Sequence, residues 1–301
     1  MEGLEAADEE AGEHGGHRGI KKNLEKRIHA DARFGYIPSM LGVFDSGFGG
    51  LTVLRAIRAR LPSLSTCYFG DNARAPYGTR SEDEIFAFTL EGVRFLFAQG
   101  CPLVILACNT ASARALRRIQ QEVLPKEFPD RRVLGVIRPT VEALASLPKP
   151  VGVFATPATV TSGAWTAECA HLGFSPTQVA GAGLVDLVER GEETSTEAER
   201  LVQTYAQALL AARPDVRTAV LGCTHYPLLF PLFRRALPAD VGILSQGDLV
   251  AASLADYLRR HPNMGARVGS DGSPLFYTSG SAGHSPLATR FLGEDVTFQR
   301  P

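Results

Sequence analysis

Between residues 41 and 278 the chain alternates short apolar runs with longer segments whose apolar residues recur at helical spacing. That alternation predicts βα units around a parallel sheet. Strands are expected over 41–44, 66–69, 103–107, 133–137, 151–154, 218–221, 241–244 and 275–278. Helices are expected over 51–61, where Pro62 stops the first, from Ser81 to about 99, and over 111–123, 159–171, 184–190, 196–212 and 248–259. Ser81 with Glu84, and Thr196 with Glu199, have capping-box spacing, and Thr110 stands as a cap for the helix over 111–123. A short amphipathic segment over 140–147 leads to the break at Pro148-Lys149-Pro150.

Two of the strands end alike. The run over 103–107 empties into Cys108-Asn109-Thr110, and the run over 218–221 into Gly222-Cys223-Thr224-His225. The cysteines stand 115 positions apart, while Gly42-Val43-Phe44-Asp45-Ser46 and Gly152-Val153-Phe154-Ala155-Thr156 match at an offset of 110. Two nearly equal offsets, each joining a strand and its exit loop, predict an internal duplication of a domain-sized unit. The late strand over 275–278 is expected to return to the first unit. We therefore expect a discontinuous first α/β domain, 40–136 with 246–301, a second over 137–245, and a small-molecule cleft between them.

Length agrees, since 301 residues exceed what one hydrophobic core usually organises. With 45% hydrophobic and 21% charged residues and no long apolar run, the composition predicts a cytoplasmic globular protein with no membrane partner. A net charge of -1 without a basic block argues against a nucleic-acid ligand. The five cysteines include no CxxC pair, so neither a disulfide framework nor a metal site is expected. Cys67, Cys101 and Cys169 read as buried packing residues. Residues 1–39 open acidic and polar, which predicts disorder, and Met40 before the first strand suggests a natural start there.

Asp45-Ser46-Gly47-Phe48-Gly49-Gly50 lies at a strand's carboxyl end, where an open α/β sheet binds ligands. It matches neither phosphate-loop pattern, no Lys follows, and its leading carboxylate would repel phosphate. Each of the paired cysteines precedes a helix, whose positive end is expected to favour thiolate. Two bases facing each other across a planar carbanion are what inversion of a stereocentre needs, one removing the α-proton while the other donates from the opposite face. His225 can tune Cys223 or only cap a loop, and Asp45 can hold an ammonium, assist Cys108 or only cap the following helix. The Pro76-Tyr77-Gly78 turn can lend backbone N–H groups to a carboxylate or merely join a strand to a helix. A thiol hydrolase using Cys223 and His225 is the alternative from another class, but it gives Cys108 no task. A duplicated binding protein leaves both thiols unexplained.

Phe44-Asp45-Ser46-Gly47-Phe48-Gly49-Gly50, Pro76-Tyr77-Gly78-Thr79-Arg80-Ser81, Ala107-Cys108-Asn109-Thr110-Ala111-Ser112, Thr156-Pro157-Ala158-Thr159 and Leu221-Gly222-Cys223-Thr224-His225-Tyr226-Pro227 together resemble the glutamate racemase branch of the aspartate/glutamate racemase superfamily. The likeness runs co-linearly from about 41 to 260. It implies two flavodoxin-like domains and cofactor-independent interconversion of L- and D-glutamate, which supplies D-glutamate for peptidoglycan. It implies Cys108 as the base for D-glutamate and Cys223 for L-glutamate, with Asp45, His225 and Glu189 assisting. Ser46, Pro76, Tyr77, Gly78, Asn109, Thr110, Thr156 and Thr224 match substrate contacts, as Asp45 and His225 also do. The expected partners are glutamate and a second copy of the chain in a homodimer. Aspartate racemases are the alternative within the superfamily. Arg138, where the family usually has an acid, and Trp165, at a position associated with tyrosine, are departures.

Overall fold

The computed structural model describes residues 39–272 and 274–301, so the expectations for residues 1–38 lie outside the described residues. Nine strands form two parallel sheets. The first takes β1 (Leu41–Asp45), β2 (Thr66–Gly70), β3 (Leu103–Leu106), β4 (Arg132–Gly135) and, from far along the chain, β9 (Pro274–Thr278). The second takes β5 (Val151–Ala155), β6 (Thr177–Ala180), β7 (Thr218–Leu221) and β8 (Gly242–Leu244). Their spatial orders are β4-β3-β1-β2-β9 and, written the same way round, β8-β7-β5-β6. The four-strand order is the same in both sheets, and β1 and β5 begin 110 positions apart, so the duplication extends to topology.

The strands read as continuous apolar runs because both faces are covered. Leu41, Val43, Leu103 and Ile105 point into one core, while Phe44, Val104 and Leu106 point into the other. The first core is continuous with residues of the second unit, including Ala219 and Leu221 of its sheet and Phe233 of a covering helix. The helices that cover the faces and bear on the cleft are α1 (Leu51–Arg60), α2 (Glu82–Ala98), α3 (Asn109–Arg114), α4 (Ile137–Leu144), α5 (Pro157–Thr161), α6 (Ala164–Ala170), α7 (Leu184–Glu189), α8 (Thr196–Ala212), α9 (Phe230–Ala236), α10 (Gly247–Arg260) and α11 (Pro286–Leu292). Among the described residues no helix is long and apolar enough to cross a membrane.

Several expected boundaries move. The strand over 133–137 ends at Gly135, and Arg138-Pro139 lie in the first turn of α4, where proline costs no intrahelical hydrogen bond. The helix over 159–171 is two helices, α5 and α6, separated at Gly163, whose φ of 69° is left-handed. Ser195, one residue earlier than expected, caps α8 by accepting from the Ala198 N–H at 3.1 Å. Ser81 does form the expected capping box with Glu84. Strand β6 escaped the sequence reading because Thr177-Gln178-Val179-Ala180 is short, half-polar and nowhere fully buried.

Candidate active site

In each sheet the first and third strands lie side by side and send their chains to opposite faces, which opens a crevice at their carboxyl ends. In the first sheet β1 delivers Asp45 and Ser46 there, and β3 delivers Cys108. In the second, β5 delivers Thr156 and β7 delivers Cys223. The duplication therefore places a thiol at the same corner of each unit, and the two corners face each other closely enough for a charge on Cys223 to act on Cys108. Both thiols are buried, at 5% and 6% exposure, and neither lines the cavity beside Arg138 or the one beside Lys149.

Cys108 caps α3: its Sγ accepts from the Ala111 N–H at 3.4 Å and lies 3.4 Å from Ser46 Oγ. The sequence placed Thr110 in that capping role, whereas Thr110 lies inside the helix. The expected preference for thiolate fails at Cys108. Burial pushes this thiol up to about 12, and the neighbouring Asp45 carboxylate adds to the shift, against opposing hydrogen bonds from Ser46 and Ala111. A two-turn helix end supplies less stabilisation than removal from water costs.

Cys223 has a different neighbour. Its Sγ lies 3.9 Å from His225 Nδ1, and His225 Nε2 donates to Glu189 Oε1 at 2.6 Å. Burial alone would lower the imidazole's pKa, but hydrogen bonds to Cys223 and Glu189 outweigh it and hold His225 well above 6.5. Glu189 comes from the end of α7. Thr224 Oγ1 donates to Asp45 Oδ1 at 3.4 Å, which ties the loop after β7 to the first unit's carboxylate. Asp45 is fully buried, and burial raises its pKa against the pull of His225 and the N–H groups of Gly50 and Gly47. The units approach so closely here that a Cβ on Gly49 would stand 2.4 Å from Thr224 Oγ1.

The remaining residues divide. Thr110 Oγ1 lies 2.9 Å from Thr156 Oγ1 and 3.2 Å from Thr159 Oγ1, a hydroxyl cluster joining the units. Gly78 abuts Thr156, where a Cβ would stand 3.2 Å from the threonine's own. Gly78 thus meets the second unit through its backbone. The Tyr77 side chain does not turn to the thiols: its hydroxyl donates to Asp71 Oδ2 at 2.5 Å and its ring packs near Phe44 and Phe88. Sequence reasoning missed Thr159, although its backbone N–H donates to the capping hydroxyl of Thr156, and Gln246, which accepts from Asn109 Nδ2 at 2.6 Å. Arg138 pairs with Glu142 beside a cavity of about 240 Å³ away from the thiols, and Trp165 is fully buried behind Gly222.

Fold and site together define an α/β enzyme of two duplicated parallel-sheet units, with a cysteine at the equivalent strand end of each. The family model described as Asp/Glu/Hydantoin racemase matches residues 51–253, and the chain belongs to that family. It is an isomerase. A glutamate racemase of Ruegeria pomeroyi is 48% identical over 272 residues, covering 86% of this chain and 98% of the relative. The solved glutamate racemase isoform RacE1 of Bacillus anthracis superposes with a TM-score of 0.78 at 32% identity, over 88% of this chain and 98% of that one. A glutamate racemase of Francisella tularensis solved in complex with D-glutamate gives 0.77 at 27% identity, over 88% and 98%.

Proposed function

We propose that the protein interconverts L- and D-glutamate by proton transfer between two cysteines, without a cofactor, and supplies D-glutamate for peptidoglycan synthesis. The observation that carries this reading is the placement of Cys108 and Cys223 at equivalent strand ends of two duplicated units facing one cleft. From L-glutamate, the Cys223 thiolate takes the α-hydrogen, so the Cα–H bond breaks, an S–H bond forms and the electron pair is left on the α-carbon and its carboxylate. The Cys108 thiol then gives its proton to the opposite face and becomes the thiolate. The reverse reaction begins from that thiolate, so the enzyme alternates between two protonation states.

The neighbours fit these roles. A protonated His225, held by Glu189, places positive charge beside Cys223 and favours its thiolate. Asp45 receives the substrate ammonium, which offsets the negative charge that now opposes ionisation of Cys108. The hydroxyls of Ser46, Thr110, Thr156 and Thr224, the Asn109 amide and the turn Pro76-Tyr77-Gly78 hold the substrate. Because both thiols are buried, the cleft opens to admit it. The units that move are 40–136 with 246–301, and 137–245, in a cytoplasmic enzyme that pairs as a homodimer.

Circular dichroism of L- and D-glutamate with purified enzyme and no added cofactor tests this. The wild type should abolish the signal, and Cys108→Ser and Cys223→Ser should each slow the reaction by about 10²–10⁴-fold, the usual contribution of a positioned base. No change on glutamate refutes the substrate; one dispensable cysteine refutes the two-base mechanism.

A further inference from the structure

The two chain segments that cross between the units leave their sheets just after the fourth strand of each unit. Val136 follows β4 and Gln246 follows β8, and they stand 110 positions apart, the offset of the strands themselves. These equivalent positions meet in space. Gln246 Nε2 donates to Thr140 Oγ1 at 3.0 Å and to the Val136 carbonyl at 3.4 Å, and all three residues are buried.

The donor and acceptor inventory of this cluster permits one arrangement. The Val136 carbonyl can only accept. Thr140 Oγ1 donates its single proton to that same carbonyl at 2.8 Å, so towards Gln246 it accepts. The Gln246 nitrogen must therefore face the crossing segment, and the Gln246 oxygen must face Asn109. That oxygen accepts from Asn109 Nδ2 at 2.6 Å, which turns Asn109 Oδ1 the other way. Asn109 is 2% exposed, and its Oδ1 has no hydrogen-bond partner among the described residues. A buried acceptor on the residue after Cys108 is destabilising until a donor reaches it.

We propose that Gln246 is a positioning residue, which relays a fixed orientation from the Val136 carbonyl through two amides and so presents Asn109 Oδ1 as the acceptor for the substrate's α-ammonium group. The inference rests on glutamate as substrate. At neutral pH both carboxylates of glutamate only accept, and its ammonium is the group that donates. The neighbouring Ser112, whose Oγ donates to the Leu106 carbonyl at 2.9 Å, links the same helix to β3, so the Asn109 backbone is already fixed and only the amide's rotation is left to Gln246.

The test compares glutamate with glutarate, the same five-carbon diacid without the ammonium. In Gln246→Met, which keeps length but cannot accept from Asn109, KM for both enantiomers should rise by about tenfold, the effect of one hydrogen bond to a charged group. The inhibition constant of glutarate should stay within about twofold, too little for a lost hydrogen bond. Asn109→Ala should lose the same discrimination, and the double variant should be no worse than either single one. Thr140→Val, which keeps shape but removes one of the two acceptors that orient the Gln246 amide, should raise KM for glutamate in the same sense by less than about tenfold with glutarate unchanged, which covers the case in which the Met variant fails to fold. Equal weakening of glutarate, unchanged KM, additive losses, or a Thr140→Val variant that weakens glutarate as much as glutamate would each overturn the relay. A wild-type enzyme that leaves glutamate unracemised overturns the proposed function instead.

Discussion

Replacing Glu189 by Gln removes the charge that holds His225 protonated while conserving shape. The affected bond is short, 2.6 Å, and the imidazole is 4% exposed, but 26% of the Glu189 side chain meets solvent. A charge-assisted hydrogen bond contributes about 1.5–3 kcal/mol when buried. Solvent screening of the exposed part brings this to about 1–1.5 kcal/mol, roughly tenfold in any step that uses the His225 proton. Because His225 stands well above 6.5 in the folded protein, its contribution to stability is complete below 6.5 and is lost as pH rises through the folded value. The stability difference between wild type and Glu189→Gln should therefore be largest in mildly acid solution and shrink towards alkaline pH. Denaturant unfolding at several pH values reads this difference, and the imidazole NMR signal of His225, assigned with His225→Asn, should titrate at lower pH in the variant. An unchanged His225 titration would refute the reasoning, because Glu189 would then contribute nothing to the imidazolium.

The Cys108 thiol should ionise only at high pH. In Cys223→Ser the ultraviolet thiolate absorbance of Cys108 should rise only towards about 12, and Asp45→Asn should move that rise to lower pH; titration near the ordinary 9.0 would refute the role of burial. In the wild type, the alkaline limbs of kcat from L- and D-glutamate should not superimpose, although kcat/KM must match in both directions because enantiomers are equal in free energy. Gly49→Ala should drive a methyl into Thr224 and His225, where a Cβ would stand 2.4 and 2.5 Å from Oγ1 and Nδ1, and lower stability by about 1–3 kcal/mol together with kcat. Unchanged thermal unfolding would show that the closed approach of the units relaxes freely. Phe233→Ala, beneath Phe154 and Tyr226 in the second unit, should cost about 3–5 kcal/mol in chemical denaturation.

Much of the site was legible because it is local. A strand that ends in Cys108 or Cys223, and the offset that relates them, are properties of short contiguous stretches, and an apolar run buried on both faces has few other readings. The same holds for Asp45 and Ser46, which stand where β1 must end. Boundaries were less legible where a single residue decides: Gly163 splits one expected helix, and Pro139 sits within the first turn of α4 instead of ending a strand. The polar strand β6 shows no apolar run because its place at the edge of the second sheet leaves it half-buried.

The residues by themselves determined the alternation of elements, the duplication and the identity of both thiols, since each follows from patterns within a few turns of chain. Only the tertiary structure decided what those thiols experience. Helix-end placement suggested a thiolate at Cys108, yet burial and Asp45, brought in by a different strand, push it up to about 12. Likewise, Tyr77 turns from the cleft to Asp71, and Gln246 reaches Asn109 across 137 positions. Desolvation and hydrogen-bond partnership depend on which distant segments share a volume, and no spacing along the chain encodes that.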